Sequence, residues 1–272
     1  MTTVALDTGV GPLLRGWREQ RRISQLELAL RADSSARHIS FVETGRARPS
    51  EEMILRLAEH LDVPVRERNA LLVVAGYAPR FGQTALDDPA MDAVREALER
   101  LLQGYEPYPA LVVDATYTVV AANRGMQLLL EGVSPELLAP PLNAMRITLH
   151  PMGLAPRILN LPEWRADLLA QMARQIALHR SPELRSLYDE VAAYPVSGPP
   201  EDRAAGGAAG AGAGLPSLAL PLRMSHRGRE LSFLSSIATF NTPMDVTVAE
   251  LAIETFLPAD RATAEHLHAL MA

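Results

Sequence analysis

The sequence predicts two domains, an all-α domain of five short helices followed by a larger α+β domain. Three observations lead to this fold class. Residues 24–49 have the pattern of two short helices joined by a tight turn. Apolar residues at helical spacing follow at Ile54, Leu57, Ala58 and Leu61. Further along the chain, short apolar runs typical of strands are combined with helical segments.

The first helix of the pair is expected to start at Ser24. Ser24 is a suitable N-cap, and Glu27 follows three residues later, which is the spacing of a capping box. Ala29 is small, so that a second helix can cross closely at this point. Asp33 lies four residues on, at a turn position where φ is positive and Asp is among the few tolerated residues.

The second helix has its own start and stop signals. Ser34 or Ser35 is a suitable N-cap. Ile39 and Val42 are three residues apart and therefore lie on one face, toward the core. Gly45 suits a left-handed C-cap. Together these signals predict a helix-turn-helix unit.

The exposed side of the second helix carries the predicted base contacts. The N-terminal part of such a recognition helix touches base edges, and an Arg there can donate two hydrogen bonds to guanine. The predicted base contacts are Ala36, Arg37, His38, Ser40 and Phe41, with Arg37 as the main one. Phosphate contacts are predicted at helix N-termini and on the loop that follows, at Gln25, Ser35, Arg46 and Arg48.

The distribution of charge favours a nucleic-acid partner for the first domain. Residues 11–48 contain eight Arg and four acidic residues, a net charge of +4, in a chain whose net charge is −6. Positive charge is therefore concentrated where phosphates would lie. Four of these side chains either face DNA or form a solvated helix face: Arg15, Arg18, Arg21 and Arg22.

The stretch SQLELALRADSSARHISFVETGRARPS resembles the phage-repressor (XRE) class of helix-turn-helix proteins. The resemblance implies an all-α five-helix XRE-type DNA-binding domain, placed at residues 11–79, that binds a double-stranded DNA operator. Its first helix is expected at 12–22 and its fifth at 66–75. An all-helical protein-interaction module of the same shape is the alternative.

A connector and a linking helix are expected at residues 80–105. The second half of this region, MDAVREALERLLQGY at 91–105, places apolar residues on one helix face. This helix either links the domains or pairs with its copy in a homodimer.

The second domain is expected at residues 106–272 and begins with two strands. PALVVDATYTVVAANRGMQLLL, at 109–130, has the pattern strand, turn, strand ending in Asn123, then helix. This order resembles the opening of a PAS domain, in which a small antiparallel sheet and flanking helices enclose a ligand pocket. The expected fold is therefore α+β and PAS-like.

The remainder of the second domain is expected to contain both strands and helices. A long helix is predicted at 162–179 and a strand hairpin from 215–224 and 230–241. AELAIETFLPA, at 249–259, is predicted to be a helix that closes the domain. The Gly- and Ala-rich segment 197–214 is predicted to be a flexible loop.

The whole layout resembles the MmyB-like family of bacterial transcription regulators. The stretches that carry this resemblance are RHISFVETGRARPS, EPYPALVVDATYTVVAANRG, LHPMGLAPRILNLPEWR and FNTPMDVTVAELAIETFLPAD. The resemblance implies a regulator that joins an XRE helix-turn-helix to a PAS-like domain with an apolar pocket. The implied effector is a fatty acid or a similar apolar small molecule.

Six residues are candidates to contact that effector: Asn123, Met145, Arg146, His150, Arg157 and Trp164. Most have a purely structural alternative. Asn123 can cap the helix that follows it, His150 can cap a turn, and Trp164 can simply pack. The two arginines can lie on the surface, as most arginines do.

Composition and motifs narrow the function classes. The chain has no cysteine, which excludes disulfides, thiolate zinc sites and a Cys nucleophile. We expect no enzyme activity, cofactor or metal site, since the sequence has no serine elbow, no two His four residues apart and no acidic metal cluster. Without a signal peptide or an apolar run of membrane length, the expected location is the cytoplasm. The alternative is an enzyme or interaction module that uses the helix-turn-helix for docking.

Overall fold

The computed structural model describes residues 9–179, 181–195, 220–240 and 245–271. The chain divides into two compact units. The first comprises Met1–Ala85 and Thr242–Ala249, and the second comprises Leu86–Asn241 and Glu250–Ala272. The predicted flexible loop at 197–214 lies outside the described residues.

The first unit is all-helical and confirms the predicted XRE-type arrangement of five helices. The helices are α1 (Val10–Gln20), α2 (Gln25–Arg31), α3 (Ala36–Glu43), α4 (Glu51–His60) and α5 (Val65–Val74). They share one apolar core, to which each contributes at least one side chain that is 2% exposed or less: Leu14, Leu28, Ile39, Ile54 and Leu71.

The capping and turn residues predicted for α2 and α3 are confirmed at Ser24, Asp33, Ser35 and Gly45. The Ser24 hydroxyl accepts a hydrogen bond from the backbone N–H of Glu27 at 3.1 Å, and Ser35 caps α3 by accepting from the N–H of His38 at 3.1 Å. Asp33 has φ +47° and Gly45 has φ +72°. The turn geometry is thus set by local capping and left-handed residues.

The second unit contains a sheet and several helices. In chain order, the second unit begins with helix α6 (Asp92–Gly104) and strands β1 (Ala110–Val113) and β2 (Val119–Ala122). Helix α7 (Arg124–Leu129) follows β2. The central helices are α8 (Ala144–Leu149), α9 (Leu161–His179) and α10 (Pro182–Ala192). The chain then forms β3 (Leu222–His226) and β4 (Arg229–Thr239), followed by α11 (Val246–Ala249) in the first unit. The last elements are β5 (Ala252–Pro258) and α12 (Arg261–Met271).

The sheet of the second unit is antiparallel and has the strand order β2-β1-β5-β4-β3. The last strand along the chain therefore lies in the middle of the sheet. Leu111 of β1 is opposite Ala122 on one side and Glu254 on the other, so that these three side chains share a face. This arrangement confirms the α+β, PAS-like class predicted for the domain.

One prediction about this domain is wrong. The segment 249–259 was expected to be a helix, but residues 252–258 form the central strand β5. The sequence AIETFLP contains Ile, Thr and Phe, which fit a pleated surface well, and both of its edges are paired. Pairing with β1 and β4 gives the backbone of this segment partners on both sides and buries Ile253, Glu254 and Thr255. The helix that closes the domain is α12.

The two faces of the sheet pack differently. On one face, Leu98 and Leu102 of α6 pack against Ala110, Val112 and Ile253 of β1 and β5. The opposite face contributes to the large core that also includes residues of α7, α8, α9 and α10. The cavity described below lies on this second face.

Candidate DNA-binding surface and ligand cavity

The exposed surface of α3 is shaped by a contact between arginine and phenylalanine side chains. The guanidinium carbon of Arg37 lies 5.3 Å from the centroid of the Phe41 ring, and that of Arg46 lies 6.0 Å from it. Both distances are within the range of a cation–π interaction. Arg37 and Arg46 are exposed, while Phe41 is half-buried. The Phe41 ring therefore lies close to both arginines of this surface.

The other predicted base contacts lie on the same short helix. Ala36, His38 and Ser40 are half-buried on α3. Ser35 precedes them, and its hydroxyl oxygen already caps the helix. The structure thus brings all five predicted base contacts onto one eight-residue helix.

Two of the predicted phosphate contacts have partners within the protein. The side-chain amide of Gln25 donates to Glu43 Oε2 at 2.8 Å, and Arg48 donates to the carbonyl of Ala75 at 3.0 Å. The Arg48 guanidinium also lies 5.6 Å from the centroid of the Tyr77 ring. Both side chains are therefore held in position by the rest of the first unit.

Arg18 of α1 and Arg21, which directly follows this helix, connect it to other helices of the unit. Arg18 donates from Nε to Glu43 Oε1 at 2.6 Å and from Nη2 to Glu43 Oε2 at 2.9 Å. Arg21 donates to the carbonyls of Leu61 and Asp62 at 2.9 and 2.8 Å. These two side chains thus belong to the internal hydrogen bonding of the unit. Arg15 instead forms an exposed ion pair with Glu19.

The second unit encloses an apolar cavity of about 310 Å³. This volume lies at the lower end of the range for small-molecule sites. The sheet and helices α7, α8 and α9 form its wall. Its apolar lining includes Leu111, Val119, Met126, Met145, Trp164 and Phe256. The polar lining residues are Gln127, Thr148 and Glu254.

Glu254 is the acidic residue in this wall. Only 9% of the residue is exposed, and its Oε1 accepts a hydrogen bond from the Ser235 hydroxyl at 2.9 Å. Burial raises the pKa of Glu254, while the hydrogen bond from Ser235 acts in the opposite direction. Burial, followed by the nearby Glu254 charge, raises the pKa of Tyr117 to about 12. The surroundings of this carboxyl therefore favour its neutral form.

The structure divides the six predicted effector contacts into two groups. Met145 and Trp164 line the cavity. Arg146 and Arg157 do not belong to the lining, because their guanidinium groups are engaged elsewhere. Arg146 forms a two-point ion pair with Glu190, at 2.8 and 2.7 Å, which lowers the pKa of Glu190.

Asn123 and His150 also lie outside the cavity lining. The side-chain oxygen of Asn123 accepts from the N–H groups of Met126 and Ala110, both at 3.0 Å, which confirms the predicted helix cap. His150 Nδ1 accepts from the N–H of Met152 at 3.0 Å. Both side chains thus make the structural contacts that were the alternatives to effector binding.

The polar residues of the wall are not among the predicted effector contacts. Glu254 lies in the segment predicted to be a helix that closes the domain, and Glu is a common residue in helices. The available signal was a single carboxyl group in the apolar run AIETFLP, which is unusual for a buried strand. Gln127 and Thr148 have no comparable signal, because each occurs in an ordinary helical segment.

Two negative findings concern the described residues. In that part of the chain, no group of three or more His, Asp or Glu is arranged to hold a metal ion. Likewise, none of its helices is long and apolar enough to cross a membrane.

Comparison with known proteins agrees with this two-part architecture. Residues 14–68 match the family model for a helix-turn-helix, the region that contains α2 and α3. A helix-turn-helix unit joined to a ligand-binding domain defines a transcription regulator. Residues 94–270 match the family described as MmyB-like transcription regulator ligand binding domain. The chain belongs to this family of MmyB-like regulators.

Searches of curated proteins and of solved structures give no further support for the function. A search of curated proteins gave no match. A solved structure of the clp gene regulator ClgR from Corynebacterium glutamicum is 24% identical, over 39% of this chain and 99% of that chain. Its TM-score is 0.23, and at this value the similarity supports no structural argument.

Proposed function

We propose that this protein is a cytoplasmic, sequence-specific DNA-binding regulator whose affinity for its operator depends on an apolar small molecule. The proposal assigns DNA binding to residues 11–79, linkage to 80–105 and effector binding to 106–272. It assigns no enzymatic step to the chain.

The observation that carries the DNA-binding half is the position of Arg37. This side chain is exposed in the first turn of α3 and lies against Phe41, which restricts its motion. A restricted arginine loses less conformational freedom when it donates two hydrogen bonds to guanine. Ala36, His38, Ser40 and Phe41 would contribute the remaining base contacts. Gln25, Ser35, Arg46 and Arg48 would hold the phosphates.

The effector half depends on the composition of the cavity wall. Most of the lining side chains are aliphatic, thioether or aromatic, so that a ligand gains affinity mainly by removing apolar surface from water. A fatty acid or another molecule with an alkyl chain offers this kind of apolar surface to the wall. Met145 and Trp164 would contact the chain directly. Asn123, Arg146, His150 and Arg157 would act on the effector only through the elements that they hold in place.

A homodimer is part of the proposal. One recognition helix makes too few contacts for specific binding by itself, and regulators of this kind place two recognition helices in successive major grooves, roughly 34 Å apart. An effector changes operator affinity only if it binds two arrangements of the dimer unequally.

The test begins with the selection of an operator from random DNA by the full-length protein. Binding to that operator is then measured against salt concentration, with and without a ten-carbon fatty acid. We expect a palindromic site, dimer stoichiometry and an affinity that falls steeply with salt. A shift in operator affinity upon addition of the fatty acid is the expected effector response.

The matched control is Ala144→Phe, which places a larger side chain in the cavity wall. This variant should bind the operator but lose the response to the fatty acid. A protein that selects no DNA sequence would contradict the DNA-binding half of the proposal. Equal responses in the wild type and in Ala144→Phe would contradict the cavity as the effector site.

A further inference from the structure

Among its described lining residues the cavity has one carboxyl group, that of Glu254, while the other polar lining residues, Gln127 and Thr148, carry no charge. Glu254 lies on the central strand β5, and its backbone is held between two strands because it is paired with Leu111 of β1 and Ile237 of β4. Leu111 shares the cavity wall with it, as does Phe256 two residues further along the strand. A side chain on a central strand has little freedom to leave the cavity.

The Glu254 carboxyl retains an unused hydrogen-bonding position. The Ser235 hydroxyl donates to Oε1 at 2.9 Å. Among the residues that the structure describes, no hydrogen bond reaches the second oxygen, Oε2. A carboxyl oxygen in a cavity wall that has no protein partner is a place where a ligand can supply a hydrogen bond.

The described lining of the cavity contains no positively charged side chain that could neutralise the carboxylate of a ligand. None of the described arginines or histidines lines the cavity. Arg146 is paired with Glu190, and Arg157 donates to the carbonyl of Leu129 at 2.5 Å. An ionised carboxylate placed beside Glu254 would therefore be desolvated, would have no counter-ion and would be repelled if Glu254 were also ionised.

We infer that Glu254 determines effector specificity by donating a hydrogen bond from its carboxyl group to an oxygen of an uncharged polar group, such as an ester, amide or alcohol. The effector class is thus an amphiphile with an alkyl chain and a neutral polar end. This inference rests on the proposed function of the cavity and specifies the chemistry of its ligand.

The state of the carboxyl agrees with this role. Burial raises the pKa of Glu254, so that the proton needed for donation is favoured. A protonated carboxylic acid has one O–H donor, and Ser235 can remain the donor to its other oxygen. A fatty acid would therefore bind this site more tightly as the neutral acid than as the carboxylate.

The experiment compares four probes with the same ten-carbon chain: methyl decanoate, 1-decanol, decanoate and decylamine. Dissociation constants are measured at pH 7.5 by calorimetry and by fluorescence of Trp164, which lines the cavity. We expect the ester and the alcohol to bind at least about tenfold more tightly than decanoate and decylamine, the equivalent of one lost hydrogen bond to a buried group.

Two variants of the full-length protein test the residue itself. Glu254→Gln keeps the size and a donor, so that it should bind the ester and the alcohol within about threefold of the wild type. Glu254→Leu removes the donor and should weaken both by about tenfold. If Glu254→Leu does not fold, Glu254→Gln still distinguishes a hydrogen-bond donor from a counter-ion. A counter-ion role for Glu254 requires that Glu254→Gln lose decylamine binding, whereas a donor role requires that it retain binding of the ester and the alcohol.

Three outcomes would overturn the inference. Decanoate binding as tightly as the ester would show that the site accepts a carboxylate. Decylamine binding most tightly, with loss in Glu254→Gln, would show that Glu254 acts as an ionised partner of a cation. Unchanged affinities in Glu254→Leu would show that Glu254 has no role. In each of these three outcomes the cavity would still be a ligand site. If none of the four probes bound, the proposed function of the cavity would be contradicted as well.

Discussion

Arg18 of α1 donates two hydrogen bonds, of 2.6 and 2.9 Å, to the carboxylate of Glu43 at the end of α3. Only 11% of the Arg18 side chain and 2% of the Glu43 side chain are exposed. A third Arg18 hydrogen bond reaches the carbonyl of Ile23, and Gln25 donates to the same carboxylate. This ion pair ties the recognition helix to α1 and to the start of α2.

The first prediction concerns this pair. Arg18→Met should lower the free energy of unfolding by about 3–5 kcal/mol, because it leaves the Glu43 carboxylate buried without its main partner. The double variant Arg18→Met/Glu43→Leu should recover much of this loss, since no charge is then left unpaired. Urea denaturation followed by circular dichroism gives both values.

Arg15→Met is the control for this prediction. It removes an arginine from the same helix, but Arg15 pairs with Glu19 at the surface, where such pairs contribute little. Its stability should stay close to that of the wild type. Equal losses in Arg15→Met and Arg18→Met would show that the buried pair has no special role.

A second prediction compares two glycines of α1. A Cβ atom at Gly11 would lie 2.2 Å from the carbonyl oxygen of Val42, in α3. Gly11→Ala should therefore push α1 and α3 apart and destabilise the first unit by about 1–3 kcal/mol. A Cβ at Gly16 meets nothing within 4 Å, so that Gly16→Ala should stabilise the helix by roughly 0.5–1 kcal/mol.

The measurement is the urea midpoint of each variant, read at a wavelength sensitive to helix. The two substitutions are chemically identical and lie in one helix, so that propensity alone predicts the same sign for both. If both variants gain stability, the close approach between α1 and α3 is not a constraint.

A third prediction separates base reading from phosphate binding. Arg37 and Arg46 both lie near the Phe41 ring, so that each alanine substitution loses a similar contact within the protein. Arg37→Ala should cost about 1–3 kcal/mol on the selected operator and relax the preference at one base pair. Arg46→Ala should weaken binding to all sequences alike and reduce the salt slope by about one.

Binding to the operator and to single-base-pair variants of it, at several salt concentrations, checks this pair. A uniform loss in Arg37→Ala would identify Arg37 as a phosphate contact. A sequence-dependent loss in Arg46→Ala would instead extend base reading beyond α3.

A fourth prediction concerns pH and the second unit. His226 is 2% exposed, and burial lowers its pKa. Its Nε2 lies 3.2 Å from the carbonyl oxygen of Leu128, which fits a neutral ring that donates there. Burial also lowers the pKa of the neighbouring His266. Both histidines are thus held neutral by the folded protein.

The direction of the pH effect follows from linkage. Above about pH 6.5, His226 is neutral in both the folded and the unfolded chain, and its contribution to stability is fully present. As the pH falls below this value, the unfolded chain takes up a proton that the folded chain does not, so that stability is lost. The loss continues until the pH reaches the lowered pKa of the folded state.

His226→Gln keeps a donor for Leu128 and removes the titration. Its unfolding free energy should fall less than that of the wild type between about pH 7 and pH 5.5, a window set by the ordinary histidine pKa. Denaturation of the two proteins at both pH values makes the comparison. Parallel pH profiles would mean that other groups cause the pH dependence.

The first unit is determined to a large extent by local sequence. Ser24, Ser35, Asp33 and Gly45 act through backbone groups only a few residues away, so that their roles can be predicted without a tertiary structure. The same holds for the Asn123 cap of α7. Capping and left-handed turns depend on short-range geometry, which the order of residues fixes directly.

The cavity depended on long-range pairing and was predicted only in outline. The helix expected at 249–259 is the central strand because β1 and β4, distant in sequence, offer both of its edges a partner. Arg146 was a candidate effector contact, yet Glu190, 44 residues away, engages its guanidinium.

The sequence by itself thus determined the helix-turn-helix, its caps and the surface of α3, together with the α+β class of the second domain. The tertiary structure alone decided that β5 lies at the centre of the sheet and that Glu254 faces the cavity. It also decided that Arg18 pairs with Glu43 rather than with solvent. These outcomes depend on which segments, distant in sequence, pack against each other. Burial also changes the free energy of a charged side chain, and the residues next to it in sequence do not show whether it is buried.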